Sequence, residues 1–300
     1  MAHEHSHAPT TYGRAFAIGV TLNLAFVAIE FVYGQLSNSL ALVADAGHNL
    51  SDVLGLLLAW GASVLAQRRP TEQRTYGYRR STILAALINA VVLLLAIGAI
   101  AWEAIGRFSA PASTAGTTII VVAAIGVMIN TLTALLFMAG QKEDLNIRGA
   151  FLHMAADAGV SLGVVLAGVA ILATGWSWID PLVSLIVATV ILVGTWGLLR
   201  DSINLALDAV PENVDLGGVQ SYLRTLPAVA DVHDLHIWGM STTESALTAH
   251  LVMPGGRADD AFLARVERDL HDRFGIEHAT IQIETSRECQ GCCVGSDARV

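Results

Sequence analysis

The sequence predicts a membrane-embedded, all-α domain of six helices followed by a small α+β domain. Two observations carry the first part. The 300-residue chain is 54% hydrophobic and only 14% charged, with a mean hydropathy of +0.57, which is too apolar for a soluble protein of ordinary composition. Its apolar residues fall into six blocks long enough to cross a hydrocarbon layer, and the last third has no such block. A third observation carries the second part: beyond Leu205 to Pro211 the pattern changes to helix, strand, strand, helix, strand.

The membrane helices are expected at 12–34, 40–67, 80–108, 117–140, 147–174 and 178–199. Residues 1–10 carry His3, His5 and His7 but no Lys or Arg, unlike a cleaved signal peptide, so the first block is expected to be retained. Arg68, Arg69, Arg74, Arg79 and Arg80 flank the second connection and Lys142 and Arg148 the fourth. Arg14 precedes the first helix and Arg200 follows the last, whereas Arg107 alone flanks an odd-numbered connection. By the positive-inside rule both termini are expected to be cytoplasmic, and a multi-pass protein of the cell (inner) membrane is expected. Gly34, Gly55, Gly61, Gly98, Gly126, Gly163 and Gly168 supply small residues for close helix packing.

In the last third a helix is expected at 215–226, strands at 232–240 and 246–253, a helix at 258–274 and a last strand at 279–284. A three-stranded sheet with two helices on one face is the economical αββαβ arrangement. The net charge is −9, and from Pro211 onward 14 Asp and Glu stand against 7 Arg and no Lys. That balance argues against nucleic acid and for cations as partners.

Two short stretches share one pattern inside the apolar blocks. His48 stands four residues before Asp52, and His153 four residues before Asp157. On a helix each pair lies on one face, one turn apart. A carboxylate at the bilayer centre costs roughly 2.5–3.5 kcal/mol on insertion scales, and intramembrane ionisable residues mark ion or proton pathways. A purely structural role between helices does not account for the same pair occurring twice. With the termini inside, His48 and Asp52 lie about 12–18 Å from the outer end of the second helix, and His153 and Asp157 about 9–15 Å from the inner end of the fifth. In a layer ~30 Å thick the two pairs overlap near the midplane and can face one ion.

Two imidazoles and two carboxylates suit tetrahedral Zn²⁺, and Co²⁺, Ni²⁺ and Cd²⁺ fit the same donors; Mg²⁺ and Ca²⁺ would demand more oxygen. All four ligands take up protons once metal leaves, so an exchange of metal for protons follows. Asp45, three residues before His48, is a candidate for orienting that imidazole or for an outer acid. Glu30 and Glu103 are read as solvated helix ends, and Asn23, Asn89 and Asn130 as interhelical hydrogen-bond formers.

In the last third, strand alternation puts His250 on one polar face and His278 and Glu284 on another, so His250, His278 and Glu284 converge on one metal if those strands are neighbours. His233 and His236 are expected on opposite faces of the first strand, so that at most one joins. His271 is read as solvated. Cys289 and Cys292 form a C-x-x-C pair with Cys293 adjacent, which does not suggest a disulfide framework. A zinc site there needs further ligands, for which His3, His5, His7 or another subunit are candidates, and a metal-scavenging tail is the competing reading. The expected organisation is a His-containing segment at 1–11, a transmembrane domain at 12–200, a linker at 201–211, a cytoplasmic metal-binding domain at 212–285 and a Cys-containing tail at 286–300.

Ala44-Asp45-Ala46-Gly47-His48 through Asp52, Tyr76-Gly77-Tyr78-Arg79-Arg80 before the third helix, His153 through Asp157, and Val232-His233-Asp234-Leu235-His236-Ile237-Trp238 together resemble the cation diffusion facilitators, in their zinc-transporter branch. The resemblance covers roughly residues 11–285. It implies that His48, Asp52, His153 and Asp157 form the transport site, that the chain is a homodimer with a ferredoxin-like cytoplasmic domain, and that it rocks between inward and outward states coupled to protons. It further implies zinc as substrate and as a bound structural or regulatory ion, held by residues matching His250, His278 and Glu284. Cys289, Cys292 and one of His3, His5 or His7 would join from the neighbouring subunit. The His-rich loop common between the fourth and fifth helices is missing from Gln141 to Asn146. Arg79 or Arg80 is expected to pair with Asp208.

Two other classes fit the sequence less well. An intramembrane metalloenzyme would need a His-Glu-x-x-His helix or a general base beside an open coordination position, and the sequence has neither; the chain is therefore read as a transporter and not an enzyme. A metal sensor would not need duplicated ligands at the midplane.

Overall fold

A computed structural model describes residues 12–109, 114–138, 145–255 and 258–286. Six long helices come first: α1 (Tyr12–Leu36), α2 (Leu40–Ala66), α3 (Ser81–Ser109), α4 (Gly116–Met138), α5 (Leu145–Thr174) and α6 (Ile179–Ala206). They are followed by α7 (Leu216–Arg224), β1 (Asp231–Gly239), β2 (Ser245–Val252), α8 (Asp260–Phe274) and β3 (Ile276–Glu284). Five helices, α2 to α6, contain stretches long and apolar enough to cross a membrane, and the described part of α1 adds the apolar segment Leu24–Leu36. Large apolar side chains such as Trp60, Leu95, Trp102, Leu166 and Val193 point outward from these helices. This is the surface an integral membrane protein turns to lipid.

The chain divides into two compact units. The first holds residues up to Leu57 together with Asn89–Gly197. Within it Phe26, Leu42, Ile119 and Val164 join α1, α2, α4 and α5 in one apolar cluster, and Ala44, Leu93, Ile97 and Val187 join α2, α3 and α6 in another. The α4–α5 seam is close because of glycine. A Cβ on Gly168 would stand 2.8 Å from Ile120 Cγ1, and one on Gly116 would stand 3.2 Å from the Gly168 carbonyl oxygen. Small residues at such a crossing let two backbones approach.

Asp180, at the start of α6, holds the start of α2. Its carboxylate accepts hydrogen bonds from the backbone N–H of Leu40 (2.8 Å) and Ala41 (3.3 Å) and from the Ser39 hydroxyl. Helix N-termini leave unpaired donors, and inside a membrane these must find an internal partner.

The second unit comprises Leu58–Ile88 and the chain from Leu198 onward. Its sheet runs β1-β2-β3, with β1 antiparallel and β2 parallel to β3, so that α8 forms the crossover. Leu223 on α7, Leu235 on β1, Leu247 and Leu251 on β2, Val266 and Leu270 on α8 and Ile276 on β3 are fully buried and form its core. The α8 helix is capped at both ends: the Asp259 carboxylate accepts from Phe262 N–H at 2.8 Å, and Gly275 closes the C-terminus at φ 66°. In the same unit Arg80 pairs with Asp208 and Arg79 with Glu244 at 2.8 Å, so of the two arginines expected at Asp208 it is Arg80 that reaches it.

Two strand features depart from simple alternation. His233 lies opposite His250 and His236 opposite Thr248, two residues apart on β2, because an extra residue is accommodated near Asp234 (φ 51°). This β-bulge corrects the expected arrangement: His233 and His236 share a face. On β3, His278 pairs with Ala246 and Glu284 with Val252. Six residues of strand separate them by about 20 Å, so they cannot bind one ion, although they lie on the same side of the pleat.

Candidate metal centres

The first cluster is built on α2 and α5. Helical spacing puts His48 and Asp52 on one face of α2, and His153 and Asp157 on one face of α5, and the two faces meet. His48 Nε2 is 3.3 Å from Asp157 Oδ1, and His48 Nδ1 is 3.7 Å from Asp52 Oδ2. His153 Nε2 is 3.3 Å from Asp52 Oδ2 and 3.6 Å from Asp157 Oδ2. Ligands of a tetrahedral ion with bonds of ~2.0–2.1 Å are about 3.3 Å apart; with one atom from each residue, His48 Nδ1, Asp52 Oδ2, His153 Nε2 and Asp157 Oδ2, three of these spacings approach such an edge, while His48 Nε2 and Asp157 Oδ1 are hydrogen-bonded to each other. His48 Nδ1, Asp52 Oδ2 and Asp157 Oδ2 are buried without a hydrogen-bond partner. Ligand atoms of His48, Asp52 and Asp157 lie within 4.8 Å of one another, and His153 Nε2 borders this group beside the two carboxylates. Asp157 is 2% exposed, whereas His153 is 43% exposed and opens the cluster on one side.

Asp45 does not hydrogen-bond His48. It is fully buried and accepts a hydrogen bond from the Ser161 hydroxyl on α5 at 2.8 Å. Glu30, expected at a solvated helix end, is also fully buried, and accepts from Asn49 Nδ2 at 3.4 Å. That departure is a correction: α1 packs its Glu30 face against α2. Glu103 is at the surface as expected, paired with Arg107 at 2.8 Å.

The second cluster sits on the sheet. His233 Nε2 is 3.0 Å from Glu284 Oε2, and His250 Nδ1 approaches Glu284 Oε1 to 2.9 Å without the alignment of a hydrogen bond. All three side chains are largely buried, and their ligand atoms gather within 4.8 Å. His278, expected as the third ligand beside His250 and Glu284, instead lays its ring edge-on to Tyr76, with centroids 5.8 Å apart. His233 takes the place beside His250 because the first two strands are antiparallel and in register there. Sequence reasoning missed Asp234. Its carboxylate stands 3.1 Å from His236 Nε2 and 3.6 Å from His250 Nε2, the ring nitrogen facing away from Glu284. A carboxylate behind an imidazole fixes its tautomer and raises its basicity as a ligand. The signal was present as His-Asp-Leu-His, but only the bulge turns Asp234 toward His250.

His271 is exposed. A hydrogen bond from Nδ1 to the Asp272 carboxylate (2.9 Å) and the nearby Glu277 carboxylate raise its pKa above the usual imidazole value. His3, His5, His7, Cys289 and Cys292 lie outside the described residues.

A bundle of apolar helices enclosing a His/carboxylate ring, followed by an αββαβ domain with a second such ring, defines a membrane protein that handles divalent metal. The chain belongs to the cation efflux family, the cation diffusion facilitators. Residues 16–205 match its "Cation efflux transmembrane domain" and residues 211–286 its "Cation efflux protein, cytoplasmic domain". Among its relatives are a "Cadmium, cobalt and zinc/H(+)-K(+) antiporter" of Bacillus velezensis, 38% identical over 95% of this chain and 93% of the relative. "Zinc transporter ZitB" of Escherichia coli is 38% identical over 97% of this chain and 95% of its own length. A "Metal cation efflux system protein CzcD" of Cupriavidus metallidurans is 36% identical over 94% and 89%.

Proposed function

We propose that the protein is a secondary transporter that exports Zn²⁺, together with Cd²⁺, Co²⁺ or Ni²⁺, from the cytoplasm in exchange for protons. The observation that carries this reading is the cluster of His48, Asp52, His153 and Asp157, in which one atom from each residue gives N···O spacings of 3.3–3.7 Å, near the edge of a tetrahedral site. Relatives named as zinc transporters and as a cadmium, cobalt and zinc antiporter support the substrate and the exchange. Two helices supply two ligands each, so moving α5 against α2 opens the ring. Four groups that bind either metal or protons then link metal release to proton uptake. In this reading α1 is a sixth span, both termini are cytoplasmic, the protein resides in the inner membrane, and alternating access occurs about the ring.

The αββαβ order with a β1-β2-β3 sheet supports a ferredoxin-like cytoplasmic domain, and the family's cytoplasmic domain supports a homodimer. His233, His250 and Glu284 fit a bound regulatory zinc: they supply two imidazole nitrogens and a carboxylate at spacings of 2.9–3.0 Å. Zinc there would offset the repulsion between two acidic domains and stabilise the metal-bound form by mass action. A further site at Cys289, Cys292 and one of His3, His5 or His7 rests on the resemblance alone.

The test is zinc uptake by sealed proteoliposomes under an imposed pH gradient. The unmodified protein is expected to accumulate zinc, and Asp157→Ala, still folded and dimeric, to lose that accumulation. Uptake unaffected by the substitution would move the pathway away from the ring.

A further inference from the structure

Beside the metal ring lies a second buried ionisable group that the exchange, as described above, does not use. Glu30 on α1 and Asp45 on α2 are both 0% exposed. Asn49, which donates to Glu30, stands one turn after Asp45 on the same face of α2, which sets the two carboxyl groups side by side. Asn49 Nδ2 donates to Glu30 Oε2 at 3.4 Å and the Ser161 hydroxyl to Asp45 Oδ2 at 2.8 Å. The remaining oxygens, Glu30 Oε1 and Asp45 Oδ1, have no donor, and neither does Asn49 Oδ1 on a side chain 2% exposed.

Two carboxylates in contact offer only acceptors, and taking both charges out of water without a counter-ion is prohibitive. No Lys or Arg is at hand: from Ala15 to Gln67 the sequence has neither, and neither has α4 or the part of α5 beyond Arg148. The titratable groups facing the pair are His48 on α2 and Asp157 on α5; α4 contributes none, and Asp45 hydrogen-bonds neither His48 nor Asp157. The enclosure is tight. A Cβ on Gly126 of α4 would stand 2.7 Å from Phe26 Cζ and 3.2 Å from Ser161 Oγ. Phe26, one turn before Glu30, therefore packs against α4 beside the hydroxyl that holds Asp45.

We propose that Glu30 and Asp45 form a proton-binding site of their own, holding one proton between their carboxyl groups, and that this proton takes part in the exchange against metal. A single proton supplies the donor that both orphan oxygens lack. Resting on the export reading and its orientation, the pair stands about 4.5 Å outward of His48 along α2, at the rise of a helix. A proton arriving from outside reaches it before the metal ring, and its charge acts on His48 and Asp157 across a medium of low dielectric.

Infrared spectroscopy of the full-length protein in lipid, with zinc accumulation in proteoliposomes at a membrane potential clamped to zero, tests this. A protonated-carboxyl C=O band is expected near neutral pH, absent in Glu30→Gln and in Asp45→Asn and restored in Glu30→Asp. At a gradient of one pH unit, loss of one exchanged proton lowers the limiting zinc accumulation ratio about tenfold, since each proton contributes one factor of the gradient. A band unchanged in both single variants would overturn the proposal. So would a band that disappears while the accumulation ratio stays the same, or a wild-type pair that lacks the band and whose spectrum responds to K⁺ or Na⁺ instead. Failure of the unmodified protein to accumulate zinc would count against the export reading, and the infrared measurement would still decide whether the pair holds a proton.

Discussion

Single residues on the sheet show how far residue type alone can go. Five histidines in the last third have the chemistry of zinc ligands, yet among the described residues only His233 and His250 come together with a carboxylate, Glu284, in one cluster. His278 fails by distance along its own strand, not by chemistry. In the full-length protein, His233→Ala is expected to weaken zinc binding at this cluster, measured by competition with a chelating dye, whereas His278→Ala leaves it unchanged. Asp234→Asn is expected to weaken it about 10- to 100-fold, the usual cost of losing the carboxylate behind a ligating imidazole. Equal losses for His233→Ala and His278→Ala would mean that the cluster is not the site. His250 and Glu284 were legible from the sequence because both are metal-ligand types on alternating strands. Asp234 was not, because its orientation depends on a backbone at φ 51° that periodicity does not encode.

Among the elements, the α4–α5 seam governs how closely α5 is held and therefore where His153 and Asp157 stand. Gly168 meets Ile120 and the Gly116 carbonyl directly, whereas nothing lies within 4 Å of a Cβ placed on Gly163. Gly168→Leu is expected to destabilise the protein by about 1–3 kcal/mol through overpacking, seen as a lowered melting temperature in detergent. Gly163→Ala should be neutral or stabilising by about 0.5–1 kcal/mol, because it only removes backbone freedom from a helix interior. A Gly168→Leu variant as stable as the parent would show that the close crossing is not required. The glycines were visible as small residues; which of them a neighbour presses on depends on the crossing of two helices.

At the scale of the second unit, Arg80 with Asp208 and Arg79 with Glu244 tie the α2–α3 connection to the turn after α6 and to the start of β2. Asp208 adopts φ 60°, a left-handed conformation that Asp tolerates better than most residues. Because both partners of the Arg80–Asp208 pair are about half exposed, a double-mutant cycle should give a coupling of only about 0.2–1 kcal/mol. Asp208→Arg is expected to lower stability and zinc uptake, and combination with Arg80→Asp to recover part of both. No recovery in the double variant would show that the ion pair carries no coupling.

By itself the sequence determined what depends on local spacing and composition: the apolar blocks that become long helices, the His/Asp pairs one helical turn apart, and the helix-strand-strand-helix-strand order of the last third. These follow from fixed periods of 3.6 and 2 residues and from the cost of exposing apolar surface. Only the tertiary structure decided that the two His/Asp faces meet within ligand distance, that His233 stands beside His250 while His278 does not, and that Glu30 is buried beside Asp45. Each of these depends on which segments far apart in the chain become neighbours, on a strand bulge, or on a glycine that admits a ring. No period along a single element contains that information.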